Sequence, residues 1–150
     1  MINKKVLILK NDRAGDLFTS LKLISSLGIN NKIKIYLSEL NYGFSFFFKT
    51  HTVKKINLNL SFLDKIKIFF DIFRNKYDEV YILTPKNYYF ILPFIFQKIK
   101  FYAIVYDNYH KMRPNKFLRK YLYKFNIIYR DKLNKNNYRV SQLNLLNKEI

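Results

Sequence analysis

Val6-Leu7-Ile8-Leu9 is an unbroken run of branched apolar residues, the pattern of a strand covered on both faces of a parallel sheet. Leu17, Leu21, Ile24 and Leu27 then recur at helical spacing, with Gly28 as the expected C-cap. Lys32 to Leu37 alternates charge with Ile33, Ile35 and Leu37, which predicts a half-buried second strand. Glu39 to Lys49 predicts a helix despite Gly43, with Ser38 as its N-cap, and Val53 to Leu58 predicts a third strand. Ser61 followed by Asp64 is a capping-box variant. After it Phe62, Ile66, Phe69, Phe70 and Phe73 share one helical face, with Lys65, Asp71 and Arg74 opposite. Glu79 to Leu83 reads as a fourth strand stopped by Pro85. Tyr88 to Ile99 reads as a helix that Pro93 bends or delays, and Phe101 to Tyr106 as a fifth strand. A basic loop broken by Pro114 precedes helices expected near Asn115–Asn126 and Asn137–Lys148. Strands alternating with helices of roughly 10–15 residues predict an α/β fold built on a doubly wound parallel sheet. Val6–Leu9 and Val80–Leu83, the most apolar runs, should be its adjacent central strands.

The turn between the first strand and the first helix, Lys10 to Leu17, therefore belongs at the carboxyl end of a central strand, where open α/β sheets bind ligands. It lacks the glycines of a dinucleotide fingerprint, having only Gly15, and lacks the second glycine and Lys-Ser/Thr of a P-loop. An acid opening the helix also disfavours a phosphate bound there. Such a turn presents a carboxylate. By position alone Asp16 is expected to cap the helix and Asp12 to form the turn.

Asn11-Asp12-Arg13-Ala14-Gly15-Asp16-Leu17, directly after a Val/Leu/Ile strand, resembles the opening of glycosyltransferase family 9, the heptosyltransferase type that builds lipopolysaccharide inner core. Two weaker matches follow in order. Lys76-Tyr77-Asp78-Glu79-Val80-Tyr81-Ile82-Leu83 is similar to the Tyr-Asp-hydrophobic start of the family's fourth strand. Asn137 to Leu146 resembles the helix that closes its N-terminal half. Lys22 departs from the pattern, which often has a proline in the first helix. The family has two Rossmann-like halves in a GT-B arrangement, and the likeness here covers one. The resemblance implies that residues 1–150 form a single Rossmann-like acceptor-binding domain with the donor-binding domain absent, inactive alone unless a second-half chain supplies it. It implies Asp16 as the catalytic base, with Asp12 as the fallback. On such a reading the cations flanking the turn, Lys10 and Arg13, with Asn11 and Gly15 beside them, are expected to contact an acidic glycolipid acceptor, and Arg113 is a further candidate contact. It implies no cofactor and no metal, with a nucleotide-sugar such as ADP-heptose as co-substrate.

Composition narrows the classes. With 150 residues and 49% apolar content the chain can bury a core. The lack of cysteine excludes disulfides and thiolate chemistry, and two histidines, His51 and His110, are too far apart to suggest a metal cluster. No segment has the roughly 18 uncharged apolar residues of a membrane span, so the expected location is the cytoplasm, with peripheral contact at the inner membrane face. The net charge of +18 is inflated by a bias toward Lys, Asn, Ile, Phe and Tyr, but Lys111, Arg113, Lys116, Arg119, Lys120 and Lys124 cluster with only Asp107 nearby. That patch suits anionic surfaces. The 19% aromatic content is expected in the core, through Phe46–Phe48 and Phe69–Phe73, and not on a nucleic-acid surface. The competing function is a non-catalytic basic module that docks on an anionic membrane or a partner subunit.

Overall fold

A computed structural model describes residues 3–103 and Leu122. The chain runs β1 (Lys5–Lys10), α1 (Ala14–Gly28), β2 (Lys32–Ser38), a 3-10 helix (Tyr42–Phe48), β3 (Thr52–Ile56), α2 (Phe62–Asn75), β4 (Glu79–Ile82), α3 (Asn87–Ile95) and β5 (Lys100–Ala103). All five strands are parallel, in the order β3-β2-β1-β4-β5. This is an α/β, Rossmann-like sheet. β1 lies between β2 and β4, with Val6 beside Glu79 and Leu9 beside Ile82, so the two most apolar strands are indeed adjacent and central.

Alternate residues of each strand feed two cores, one per face. Val6, Ile8, Ile33, Ile35, Leu37 and Tyr81 pack with Leu17, Leu23, Ile24 and Leu27 of α1 and with Phe48. Leu7, Leu9, Tyr36, Val80, Ile82 and Phe101 pack with Ile68 and Ile72 of α2, Tyr89, Phe90 and Leu92 of α3, and Leu122. The chain moves outward from β1 to β3, then α2 carries it back across the opposite face to β4. The winding direction reverses between β1 and β4, so their carboxyl ends form the topological switch point.

Several elements differ from the pattern-based expectation. Ser38 ends β2 instead of capping a helix, and the expected Glu39–Lys49 helix is a 3-10 helix at Tyr42–Phe48 that buries only Phe48. Gly28 is the last residue of α1 and has no positive φ. Its role is spatial: a Cβ there would stand 2.6 Å from Nε2 of His51. The third strand is Thr52–Ile56, the fourth ends at Ile82, and α3 stops at Ile95 with Pro93 in its last turn.

The largest correction concerns α2. Its capping box forms as expected, with Ser61 and Asp64 bonded reciprocally. Yet Ile68 and Ile72 face the sheet, while Phe62, Ile66, Phe70 and Phe73 are exposed. Asp71 turns inward because three donors await it: Nζ of Lys34 at 2.6 Å, the Tyr36 hydroxyl at 3.0 Å and the Tyr77 hydroxyl at 3.1 Å. A partly buried carboxylate with three donors from outside the helix, besides Asn75 within it, fixes the rotation of the helix, and the phenylalanine stripe follows outward. Phe46 and Phe47 are likewise exposed, so the aromatic content is only partly core. The expected helices near 115–126 and 137–148, the basic cluster with Arg113, and the end of the fifth strand beyond Ala103 lie outside the described residues, Leu122 excepted.

Candidate functional site

The loop after β1 is held from three sides. Ser38, at the end of β2, donates its hydroxyl to the Asp12 carbonyl at 2.7 Å, and Asn41 Nδ2 donates to the same oxygen at 2.7 Å. Asn11 is fully buried. Its amide donates to the carbonyls of Asn57 at 3.1 Å and Leu58 at 3.3 Å, and its Oδ1 accepts from the Tyr89 hydroxyl at 2.7 Å. Asn11 thus ties the loop to the turn before α2 and to α3, a positioning arrangement in place of an open contact.

Lys10, expected to contact an acceptor, is buried with 0% exposure and bonds to Oδ2 of Asp12 at 2.6 Å and the Leu83 carbonyl at 3.4 Å. Burial lowers the Lys10 pKa, opposed by the charges of Asp12 and Asp16. Burial raises the Asp12 pKa, reinforced by Asp16 and opposed chiefly by Lys10, with a smaller contribution from the Thr84 hydroxyl. Lys10, Asp12 and Asp16 therefore share one electrostatic neighbourhood.

Arg13 is the N-cap residue of α1, extended, exposed and without a capping side-chain bond. Gly15 sits in the first turn with no heavy atom within 4 Å of where a Cβ would stand. Asp16, also in the first turn, is exposed. Its carbonyl accepts from the Thr19 hydroxyl at 2.7 Å, but its carboxylate caps nothing among the described residues. The capping alternative for Asp16 therefore has no hydrogen bond behind it.

Across the switch point, β4 leads into Leu83-Thr84-Pro85-Lys86-Asn87. The amides of Leu83 and Thr84 both donate to the Leu9 carbonyl, at 3.0 and 3.2 Å, so this segment continues alongside the β1 loop. Lys86 Nζ donates to the Leu58 carbonyl at 2.7 Å, and burial lowers its pKa against the opposing charges of Asp12 and Glu39. α3 then begins without a side-chain cap and without an acid in its first turn.

Four side-chain oxygens among the described residues are buried with no hydrogen-bond partner: Oδ1 of Asp12, Oδ1 of Asn41, Oγ1 of Thr84 and Oδ1 of Asn87. The Thr84 hydroxyl stands near enough to Asp12 to favour its charged form, yet the two do not reach hydrogen-bonding geometry. Asp12, Asn41 and Thr84 lie in the segments that follow β1, β2 and β4 at the carboxyl edge, and Asn87 opens α3 directly after the last of these. Each such oxygen costs on the order of 1–3 kcal/mol unless something donates to it. The hydropathy pattern marks only the β1 side of this edge. It does not single out Asn41, Thr84, Lys86 or Asn87, although a Thr-x-Lys-Asn string directly after a buried strand, once β4 is set beside β1, points to the same place. Among the described residues no three His, Cys, Asp or Glu side chains gather to hold a metal ion.

The fold and this edge define a Rossmann-like α/β domain with a polar candidate site at its switch point. No protein-family model matches the chain, and no curated protein matches it significantly. No helix among the described residues is long and apolar enough to cross a membrane.

Proposed function

We propose that the chain carries the acceptor-binding domain of a GT-B glycosyltransferase similar to the family 9 heptosyltransferases. It would take an acidic glycolipid acceptor in lipopolysaccharide or other surface glycan synthesis. The observation that supports this best is the set of unpaired buried oxygens on Asp12, Asn41, Thr84 and Asn87. Carboxylate and amide oxygens only accept, so their natural ligand is rich in donors. A sugar supplies several hydroxyls at once.

The two helix ends suit different parts of such a ligand. The first turn of α3 has no side-chain cap, no acid, and Lys86 before it, which favours a phosphate or carboxylate substituent. The first turn of α1 carries Asp16, which disfavours an anion and favours the base. In inverting transfer the base removes the acceptor hydroxyl's proton as that oxygen attacks the anomeric carbon. The nucleoside diphosphate leaves with the bonding pair. Asp16 suits that role as an exposed carboxylate that caps nothing among the described residues. Asp12, fixed by Lys10, Ser38 and Asn41, orients the hydroxyl, and Arg13 and the open space at Gly15 border the acceptor. Asn11 acts through the loop it holds.

The test titrates the purified chain with a lipid A-type acceptor, then adds a donor-binding half-chain and ADP-heptose. The acceptor binds, Thr84→Val weakens binding by about tenfold, and Asp16→Asn keeps binding while transfer falls by roughly 10²–10⁴-fold. Absence of acceptor binding, or undiminished transfer by Asp16→Asn, would overturn the assignment.

A further inference from the structure

The 3-10 helix that replaces the expected long helix leaves most of its aromatic side chains outside. Phe46 is 54% exposed, Phe47 51% and, from the first turns of α1, Phe18 46%. These rings are not splayed singly. Phe46 and Phe47 have centroids 4.3 Å apart, Phe18 lies 5.3 Å from Phe44 and 6.2 Å from Phe47, and Phe44 stacks on Phe47 at 6.5 Å. Phe48 anchors the element in the core, and Phe44 packs partly against it. The result is a self-supported aromatic wedge at the carboxyl edge of the sheet, flanked by exposed Leu40 and Tyr42.

Its electrostatic setting narrows what can cover it. The acids beside it are Glu39, which accepts from the Leu58 amide, and Asp16, two residues before Phe18; from Leu40 to Leu63 the chain has no acidic residue, and Lys49 and Lys55 follow the wedge. Lys55 stands over the Tyr42 ring at 5.8 Å, setting a tyrosine and a lysine side by side next to the phenylalanines. On α1, Lys22 lies one turn beyond Phe18 and is exposed. Protein interfaces deplete lysine and need roughly 800 Å² per partner, more than a few half-exposed rings provide. Phenylalanine beside tyrosine and long basic side chains suits the bilayer interface, where rings enter the acyl boundary and ammonium groups meet anionic headgroups.

We propose that Phe18, Phe44, Phe46 and Phe47, with Lys22, Lys49 and Lys55, form a docking surface for an anionic lipid bilayer. Binding combines partial insertion of the rings with electrostatic attraction, two weak signals that together give stable but reversible attachment. This inference does not depend on glycosyl transfer. If both hold, docking brings the switch-point edge to the plane where lipid-linked acceptors reside.

The experiment uses the full chain and vesicles of phosphatidylcholine with or without phosphatidylglycerol, separated by sedimentation. Wild type partitions to the phosphatidylglycerol vesicles and is partly released by salt. Phe46→Ser with Phe47→Ser lowers partitioning by at least about 100-fold, and each of Lys49→Gln and Lys55→Gln lowers it by about fivefold, whereas Lys54→Gln, set on the other face of β3, leaves it unchanged. Because the chain contains no tryptophan, Phe47→Trp provides a single fluorophore, and brominated lipid quenches it on docking. That measurement decides the question even if the double serine variant fails to fold. Equal partitioning by a folded serine variant, or unquenched indole fluorescence from vesicle-bound Phe47→Trp protein, overturns the proposal. So does failure of wild type to bind any vesicle, including a case in which the wedge instead drives concentration-dependent self-association.

Discussion

Asp12→Asn is the sharpest probe of the carboxyl edge because it removes one charge and almost no volume. In the native protein the Lys10 ammonium is fully buried and 2.6 Å from Oδ2 of Asp12, whose side chain retains 17% exposure. Removing one partner of a fully buried pair costs about 3–5 kcal/mol, because the other charge stays in a poorly solvated place. Two features reduce this. Water reaches the Asp12 side, and the asparagine Oδ1 can still accept from Lys10. The expected loss is about 2 kcal/mol, rising to about 3 for Asp12→Ala. Lys10→Met keeps the stem volume and removes the fully buried ion, and the Asp12 carboxylate it leaves without a cation is the partner that still reaches water, with 17% exposure. The substitution should cost less than Asp12→Asn, about 1 kcal/mol. The double variant Lys10→Met/Asp12→Asn should then be more stable than Asp12→Asn alone by about 1–2 kcal/mol, a coupling of about 2–3 kcal/mol once the cost of Lys10→Met is included. Urea unfolding followed by far-ultraviolet circular dichroism measures all four proteins. If Asp12→Asn lies within about 0.5 kcal/mol of wild type, or if Lys10→Met fails to rescue it, the two residues do not act as one electrostatic unit.

Other perturbations test separate parts of the scaffold. Tyr89→Phe deletes the hydroxyl that donates to buried Asn11 Oδ1 at 2.7 Å, and thermal unfolding should show a loss of about 1–3 kcal/mol. On α2, Ile72→Ala should cost about 2–5 kcal/mol while Phe70→Ser stays within about 0.5 kcal/mol, which checks the inverted face of the helix. For Asp64, burial would raise the pKa, but hydrogen bonds from Asn57 and Ser61 outweigh it and hold the carboxyl below its ordinary value. Its contribution is therefore present above the ordinary aspartate value and lost as pH falls through the lowered one. Asp64→Asn should cost about 1–2 kcal/mol at neutral pH and remove that part of the acid-side slope in unfolding measured against pH.

How much of this is legible in the sequence depends on whether a residue's environment is set locally. The Val6–Leu9 and Val80–Leu83 runs suffice for adjacent central strands, because a stretch apolar on both faces has few places to go in an α/β sheet. The Ser61–Asp64 capping box is visible because both its bonds close within four residues. Helix rotation is not local. α2 has a wide phenylalanine stripe, but its inward face is chosen by Lys34, Tyr36 and Tyr77, which reach Asp71 from β2 and from the connection that precedes β4. Hydropathy spacing does not contain that choice. The 3-10 helix escapes the pattern for a related reason: Phe44, Phe46, Phe47 and Phe48 satisfy a helical apolar spacing in which only Phe48 is buried.

The site shows the same division. The β1 turn, with Asp12, Arg13 and Asp16, can be located from a strand followed by a helix. Its partner segment, Thr84 to Asn87, becomes part of the site only through the crossover that sets β4 against β1. The contrast between two neighbouring clusters then separates scaffold from site. Asn11 is as buried as any polar group among the described residues, yet its amide and carbonyl oxygen are all bonded internally. Asp12, Asn41, Thr84 and Asn87 surround the same edge and leave an oxygen each unpaired. Replacing Thr84 by valine or Asn87 by leucine would remove that penalty at little steric cost, so stability alone gives no reason for these residue types. A ligand that donates to those oxygens does. The scaffold residues close their own hydrogen bonds, and the edge beside Asp16 holds open acceptors where a hydroxyl-rich molecule would complete them.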